Sequence, residues 1–378
     1  MDYNKKALKL HKKYRGKIEI NSKISLKSKD DLSAAYTPGV GAVSGAIAKN
    51  KKKSWELTNR ANQVAIVSDG TAILGLGDIG PEAGMPVMEG KSVIFKKFAN
   101  VDALPLCINT VDTEEIIKFC KQIEPSFGGI NLEDISAPRC FEILARLEKE
   151  LSIPVFHDDQ DGTAIVVLAG LINACRVTGK VLKELKIVIS GMGAAGIAIA
   201  RLLIAFGAKD LILLDSKGII GNGRKDLNKY KKEILAKIKN KKNKGTKEDA
   251  CVRADVYVGV SKPKQLTSDM IKKMNENPII FAMANPVPEI MPDDAKKAGA
   301  AIMATGRSDF SNQINNALVF PGIFRGLLDE KTKKIDINLK KKIAIALAYS
   351  VKKPIKDKII PGINEKKVVK IISRAVKG

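Results

Sequence analysis

Two pairs of adjacent acids are the first residues whose types and positions suggest chemistry. Glu133-Asp134 follows the apolar run Ile130–Leu132, and Asp158-Asp159 follows Ile153–Phe156 with His157 between them. Acids at the C-terminal ends of neighbouring strands can converge on one hard cation. An all-oxygen donor set without an accompanying Cys/His group selects Mg²⁺ or Mn²⁺ over Zn²⁺. Singly, each pair reads as a solvated loop or a helix cap; two pairs upstream of a nucleotide fold read as a site. His157 can ligate or shuttle protons, and packing beside the acidic loop is the simpler role for it. Lys91 stands between Gly90 and the apolar run Ser92–Phe98, read here as a buried strand. Desolvation there would lower the ammonium pKa and make the amine a usable base. Tyr36, just before the Thr37-Pro38-Gly39 turn, is either a packed phenol or an acid aimed into a cleft. Composition alone leaves Lys91 and Tyr36 open between structural and catalytic roles.

A second constellation is Gly191-Met192-Gly193-Ala194-Ala195-Gly196, which reads GxGxxG. The pattern is weak alone and gains meaning because it follows the strand Ile187–Ile189 and opens a helix. Its glycines would supply a tight turn, backbone approach to a pyrophosphate and close helix–strand packing, and the helix N-terminus would receive the phosphate charge. Asp215 ends the next strand 19 residues after Gly196, where an acid can bond ribose hydroxyls. It favours NAD over NADP, and Lys217 nearby softens that preference.

These groups need elements to hold them. The first half mixes amphipathic helices (Lys5–Tyr14, Thr113–Ile123, Arg139–Leu151) with short strands (Val64–Ser68, Ser92–Phe98, Ala103–Asn109, Gly129–Leu132, Pro154–Phe156). Gly/Pro-rich loops fall at Thr37–Gly41 and Leu74–Gly84. After a small-residue helix, Thr163–Thr178, strands at Lys186–Ser190, Asp210–Asp215, Val256–Val260, Ile279–Ala282 and Ala301–Ala304 alternate with helical segments, among them Ala195–Phe206. That alternation predicts an α/β fold with a parallel sheet covered on both faces. The expected organisation is an α/β substrate and metal domain over 1–162. A Rossmann-like dinucleotide-binding domain with C-terminal helices follows over 163–378.

A chain of 378 residues, 45% hydrophobic, can bury two cores. Its five cysteines are scattered with no CxxC pair, which fits reduced thiols in a cytoplasmic protein. No apolar h-region follows the lysine-rich start, and no run approaches ~18 apolar residues, so neither a signal peptide nor a membrane span is expected. The net charge is +24, with 30 of the 65 basic residues in the tracts 1–30, 224–247 and 352–378. These tracts are lysine with few aromatics between, so a solvated surface is favoured over a nucleic-acid interface, and 224–247 is expected as an exposed helix or loop. A positive field also draws small anionic substrates.

Taken together, the motifs resemble the malic enzyme family in its short form. They are AYTPGV at 35–40, GLGDIGP at 75–81, MPVMEGKSVIFKKFANVDALP at 85–105, INLEDISAPRCFEI at 130–143, PVFHDDQDGTAIV at 154–166, GMGAAG at 191–196, DSKG at 215–218, FAMANPVPEI at 281–290, ATGRSDF at 304–310 and NQINNALVFPGIFRG at 312–326. The resemblance runs from about residue 10 to residue 375. It implies oxidative decarboxylation of L-malate to pyruvate and CO₂ with reduction of NAD, NADP being possible, and a need for Mg²⁺ or Mn²⁺. It implies Lys91 as general base, Tyr36 as general acid, and Glu133, Asp134 and Asp159 as metal ligands with Asp158 a neighbour. Asn285 and Asn316 would orient malate and nicotinamide. Thr163, Gly191, Gly193, Ala194, Ala195, Gly196 and Asp215 would line the cofactor site. A homodimer or larger homo-oligomer is expected.

Two departures stand out. Asp161 occupies the place after the Gln of HDDQ where relatives of this length carry His, adding negative charge near the metal loop. Ala72-Ile73-Leu74 replaces the stretch where longer relatives carry an arginine that grips a malate carboxylate, so some other group must bind that carboxylate. Two rivals remain: a malolactic-type enzyme that keeps its NAD and releases lactate, and a basic binding protein on a decayed enzyme scaffold.

Overall fold

A computed structural model describes residues 2–239 and 245–377. Two parallel sheets organise the chain. The first has strand order β2-β1-β3-β4, from β1 (Gln63–Ser68), β2 (Asp102–Cys107), β3 (Gly129–Leu132) and β4 (Val155–His157). The second has order β10-β9-β8-β5-β6-β7, from β5 (Lys186–Ser190), β6 (Asp210–Asp215), β7 (Gly218–Ile219), β8 (Val256–Gly259), β9 (Ile279–Ala282) and β10 (Ile302–Thr305). All pairings are parallel except the short β7, which runs against β6. Central strands such as β3, β8 and β9 are buried along their whole length, as helices on both faces require.

One expected strand is a helix. Ser92–Phe98 lies inside the helix Pro81–Ala99. Its local run of Val93, Ile94 and Phe95 imitates a strand, but the buried residues are Gly84, Met88, Lys91, Ser92, Phe95 and Ala99, one face that recurs at steps of three and four around the adjacent pair Lys91-Ser92. Pro81 at the first turn pre-sets the helical φ. The basic tract 224–247 contains the helix Lys229–Lys237, and its residues 240–244 lie outside the described residues.

The two sheets share one continuous apolar core. The helix Thr163–Thr178 joins them, and its Asn173 amide donates to Ala348 O (2.7 Å) and Ile359 O (2.8 Å), pinning the C-terminal segment. The segment Asp158–Thr178 is long and apolar enough to cross a membrane, but it begins with acids and is mostly buried inside the protein. The helix Phe320–Asp329 returns to the first sheet: Phe320 and Phe324 stack on Phe95 (centroids 4.6 and 5.4 Å apart), and Phe324 also meets Phe156 edge-on at 6.1 Å. Four of the five cysteines are buried and Cys107 is half-buried; all are free thiols.

This aromatic cluster ties the end of the chain to the first sheet. Phe324→Ala should lower stability by about 3–5 kcal/mol, read as a drop in the urea midpoint. A midpoint within error of the parent would show that the cluster contributes little.

Candidate active site

The C-terminal ends of the strands face one cleft, where ligands of parallel α/β sheets bind. β3 delivers Glu133 and Asp134, β4 delivers Asp158 and Asp159, β5 the glycine turn, β8 Ser261, β9 Asn285 and β10 Gly306. Between the sheets lies a cavity of ≈ 600 Å³ whose wall includes Lys91, Glu133, Asp134, Asp159, Asn285 and Asn316. Thr163 and Ala195 line it as well.

Three acids converge as expected. One oxygen each from Glu133, Asp134 and Asp159 lies within 4.8 Å of the others. Asp134 adopts a left-handed φ of 51°, uncommon for a residue other than glycine, and its backbone N–H donates to Asp159 Oδ2 at 2.9 Å. Asp134 Oδ2 is buried with no hydrogen-bond partner. An all-oxygen triad with an orphaned carboxylate oxygen fits a hard divalent cation. His157 is fully buried with neither ring nitrogen bonded, and burial lowers its pKa against the pull of Asp159, so it is a neutral neighbour of the acids.

Lys91 projects from the helix Pro81–Ala99 into this cluster. Its ammonium lies 2.7 Å from Glu133 Oε2, bonds Asp158 Oδ2 and sits 4.3 Å from the Phe320 ring centre. Burial pulls the ammonium pKa down, but the Asp158 and Glu133 carboxylates overcome it, so Lys91 is held above its ordinary value. The expected desolvated, lowered lysine is thereby corrected: partners outweigh burial. For the acids the balance is reversed. Burial raises Glu133 and Asp158 despite Lys91, and burial together with Asp159 pushes Asp134 up to about 8. One ammonium cannot neutralise all the carboxylates around it, so Glu133, Asp134 and Asp158 stay above their ordinary values. Asp158, taken from sequence as a mere neighbour, is Lys91's direct partner.

Tyr36 is not in the cavity. It caps the helix Lys29–Ala35, is 67% exposed and is absent from the cavity wall. Asp161 turns its charge away from the three acids to Lys340, 2.7 Å distant on the helix Ile337–Tyr349, although its field still raises Asp158.

The nucleotide side is built as its spacing implies. Gly191 has φ +109°, and a Cβ there would meet Val260 O at 2.7 Å; a Cβ on Gly196 would sit 1.9 Å from Gly191 O. Gly193 precedes the helix Ala194–Phe206, whose first turn has no side-chain cap and no acid, leaving its amides available to an anion. Asp215 is not free. It accepts from both Arg224 Nη atoms (2.9 and 3.0 Å), from Lys231 Nζ (2.7 Å) and from the Lys217 amide (3.0 Å). Sequence reasoning missed Arg224 and Lys231, two cations in a lysine-rich stretch with no motif to distinguish them. It also missed Glu289, fully buried, which accepts from the backbone of Ser261 (3.2 Å) and Ala284 (3.0 Å) and so joins the loops after β8 and β9.

Comparisons with known proteins agree along the whole chain. The family model described as "Malic enzyme, NAD binding domain" matches residues 160–377, and that described as "Malic enzyme, N-terminal domain" matches 15–114 and 109–148. The chain is 54% identical to the NAD-dependent malic enzyme of Geobacillus stearothermophilus, over 96% of this chain and 76% of that protein. It is 50% identical to the bifunctional malic/malolactic enzyme of Bacillus subtilis, over 100% of this chain and 92% of that one. The crystal structure of the NAD-dependent malic enzyme from Thermotoga maritima superposes with a TM-score of 0.94 at 46% identity, covering 98% of this chain and 99% of the other.

The raised acids have a measurable consequence. Carboxyls with raised folded-state values bind more protons in the native than in the unfolded chain, so their contribution to stability falls as pH climbs from about 4 toward 8. A divalent cation replaces those protons, and its own stabilisation therefore grows over that interval. Mn²⁺ should raise Tm more at about pH 8 than at about pH 5.5, and its binding should release protons into a weak buffer. Equal shifts at both pH values would contradict this account.

Proposed function

The chain belongs to the malic enzyme family, and from that membership we propose how its residues divide the oxidative decarboxylation of malate. The reaction converts malate to pyruvate and CO₂ while reducing a nicotinamide cofactor. The observation that carries our assignment is Lys91, a buried amine bonded to two carboxylates on the wall of a cavity that also holds three converging acids.

Glu133, Asp134 and Asp159 would hold Mg²⁺ or Mn²⁺. An ion held there would supply Lewis-acid polarisation of the malate C2 oxygen, and Glu133, paired here with Lys91, would be one of its ligands. Lys91, bonded to Asp158 Oδ2, would pass its proton to that carboxylate and take up the C2 hydroxyl proton, and a bound nicotinamide would supply the hydride acceptor. Asn285 and Asn316 both line this cavity, from the segments after the neighbouring strands β9 and β10, and would orient substrate and cofactor. Loss of CO₂ leaves an enolate, and Tyr36 protonates its C3.

Tyr36 can do so only if it reaches a cavity, and in one copy it stands outside. Exposed apolar residues accompany it along the N-terminal segment, among them Ile18, Ile20, Ile24, Leu26 and Leu32. A homo-oligomer in which the partner's Tyr36 enters the cavity would satisfy both observations. NAD is the proposed cofactor, with NADP tolerated, because the charge of Asp215 is answered by Arg224 and Lys231.

Absorbance of the reduced nicotinamide is the test, with L-malate, Mn²⁺ and either NAD or NADP, repeated with EDTA. Metal-dependent reduction with pyruvate formed is expected. Lys91→Ala and Tyr36→Phe should each lose about a hundredfold or more in kcat, and unchanged turnover in either would remove that residue's assignment. Arg224→Ala should weaken the use of NADP by about tenfold more than that of NAD; a parallel loss would mean that Arg224 does not read the 2′ position. The bifunctional name of the Bacillus subtilis relative supports a second reading, in which lactate forms and free NADH does not accumulate. Product analysis separates the two.

A further inference from the structure

Malate carries a carboxylate at each end, and the residues assigned above engage only the end bearing the C2 hydroxyl. A dicarboxylate site needs a cation for the other end. The stretch Ala72-Ile73-Leu74 offers none, and Ala72 and Leu74 line the cavity with apolar side chains. Among the described residues of the cavity wall the cationic side chains are Lys91, already bonded to Glu133 and Asp158, and Lys17; His11 joins them only if protonated.

We infer that Lys17 is the cation that receives the malate carboxylate remote from the reacting hydroxyl, an assignment that rests on the malate-oxidising reading above. Lys17 comes from a part of the chain far from every other site residue, yet it is held in place. The helix Tyr3–Tyr14 ends in two left-handed residues, Arg15 (φ 53°) and Gly16 (φ 112°), which turn the chain onto the helix Pro81–Ala99. The φ of Gly16 is one that side chains other than glycine's rarely adopt, and a Cβ there would also press on the Glu89 carboxylate. The Lys17 amide donates to Glu89 Oε2 at 3.2 Å, and its Nζ donates to Pro86 O at 2.5 Å. That carbonyl takes one of three ammonium hydrogens, and the carboxylate whose charge acts on the ammonium is that of Glu89, which already accepts from the Lys17 amide. Nζ also lies 3.3 Å from where a Cβ of Gly90 would stand, beside Lys91 on the same helix. His11 also lines the cavity; its Nε2 is buried with no hydrogen-bond partner and its Nδ1 lies 2.8 Å from Ala7 O.

The chemistry predicts which kinetic constant feels this contact. An ion pair to the remote carboxylate is present in bound malate and in the hydride-transfer transition state alike, so it contributes uniform binding. It does not assist the loss of that carboxylate as neutral CO₂. Removing it should therefore raise KM and leave kcat nearly unchanged.

The experiment compares wild type, Lys17→Met and Lys17→Arg, each loaded with Mn²⁺, for KM of L-malate, KM of NAD and inhibition by oxalate, which fills only the metal end. Lys17→Met should raise the malate KM by about ten- to a hundredfold, the loss of one charge-assisted hydrogen bond. Its kcat, NAD KM and oxalate inhibition should stay within about twofold of wild type, and Lys17→Arg should recover most of the malate affinity. A malate KM unmoved in Lys17→Met, or moved together with oxalate inhibition, overturns the assignment while leaving the malate-oxidising reading intact. A wild-type protein inert toward malate overturns both.

Discussion

Burying Glu133, Asp134 and Asp158 around one ammonium, with Asp159 beside them, is the constraint on which the rest of the structure depends. Removing carboxylates from water costs several kcal/mol each unless a cation answers them. Lys91 answers two, Glu133 and Asp158. The same shortage of positive charge holds Lys91 above its ordinary value and leaves three converging carboxylates that suit a hard cation. Stability, metal affinity and proton transfer are therefore coupled through one set of side chains.

The scaffold serves that cluster. Parallel strands all point their C-terminal ends toward one side, so acids placed after β3 and β4 meet without any sequence proximity, and the loops after β5, β8, β9 and β10 close the opposite wall. The helix Phe320–Asp329 then crosses back to the first sheet and sets the Phe320 ring against Lys91. That crossing explains why the apolar core runs through both units rather than dividing between them.

Positive charge is abundant on this chain, yet few of its cations enter the chemistry. Arg224 and Lys231 neutralise Asp215, Lys340 neutralises Asp161, and Lys17 stands at the substrate cavity. Each works by geometry rather than by number. Asp161 beside the acidic loop is paired with a lysine on a distant helix, although its field still reaches Asp158, a pairing that no local reading of HDDQD could foresee.

What the sequence by itself determined was whatever depends on neighbours along the chain. Strand–glycine–helix spacing specified the nucleotide turn, acids directly after strands marked three carboxylates that converge, and alternating elements announced parallel sheets. Local pattern failed where it had to choose between periods: Val93-Ile94-Phe95 imitates a strand, and only packing of Met88, Lys91, Phe95 and Ala99 against the sheet makes it a helix. Tertiary structure alone decided the charge state of Lys91, the partnership of Asp158, the neutralisation of Asp161 and Asp215, and the distance of Tyr36 from its own cavity. Each of these is an electrostatic or spatial relation between segments far apart in sequence. Its energy depends on burial and on distances of a few ångströms, which no order of residues states until the chain has folded.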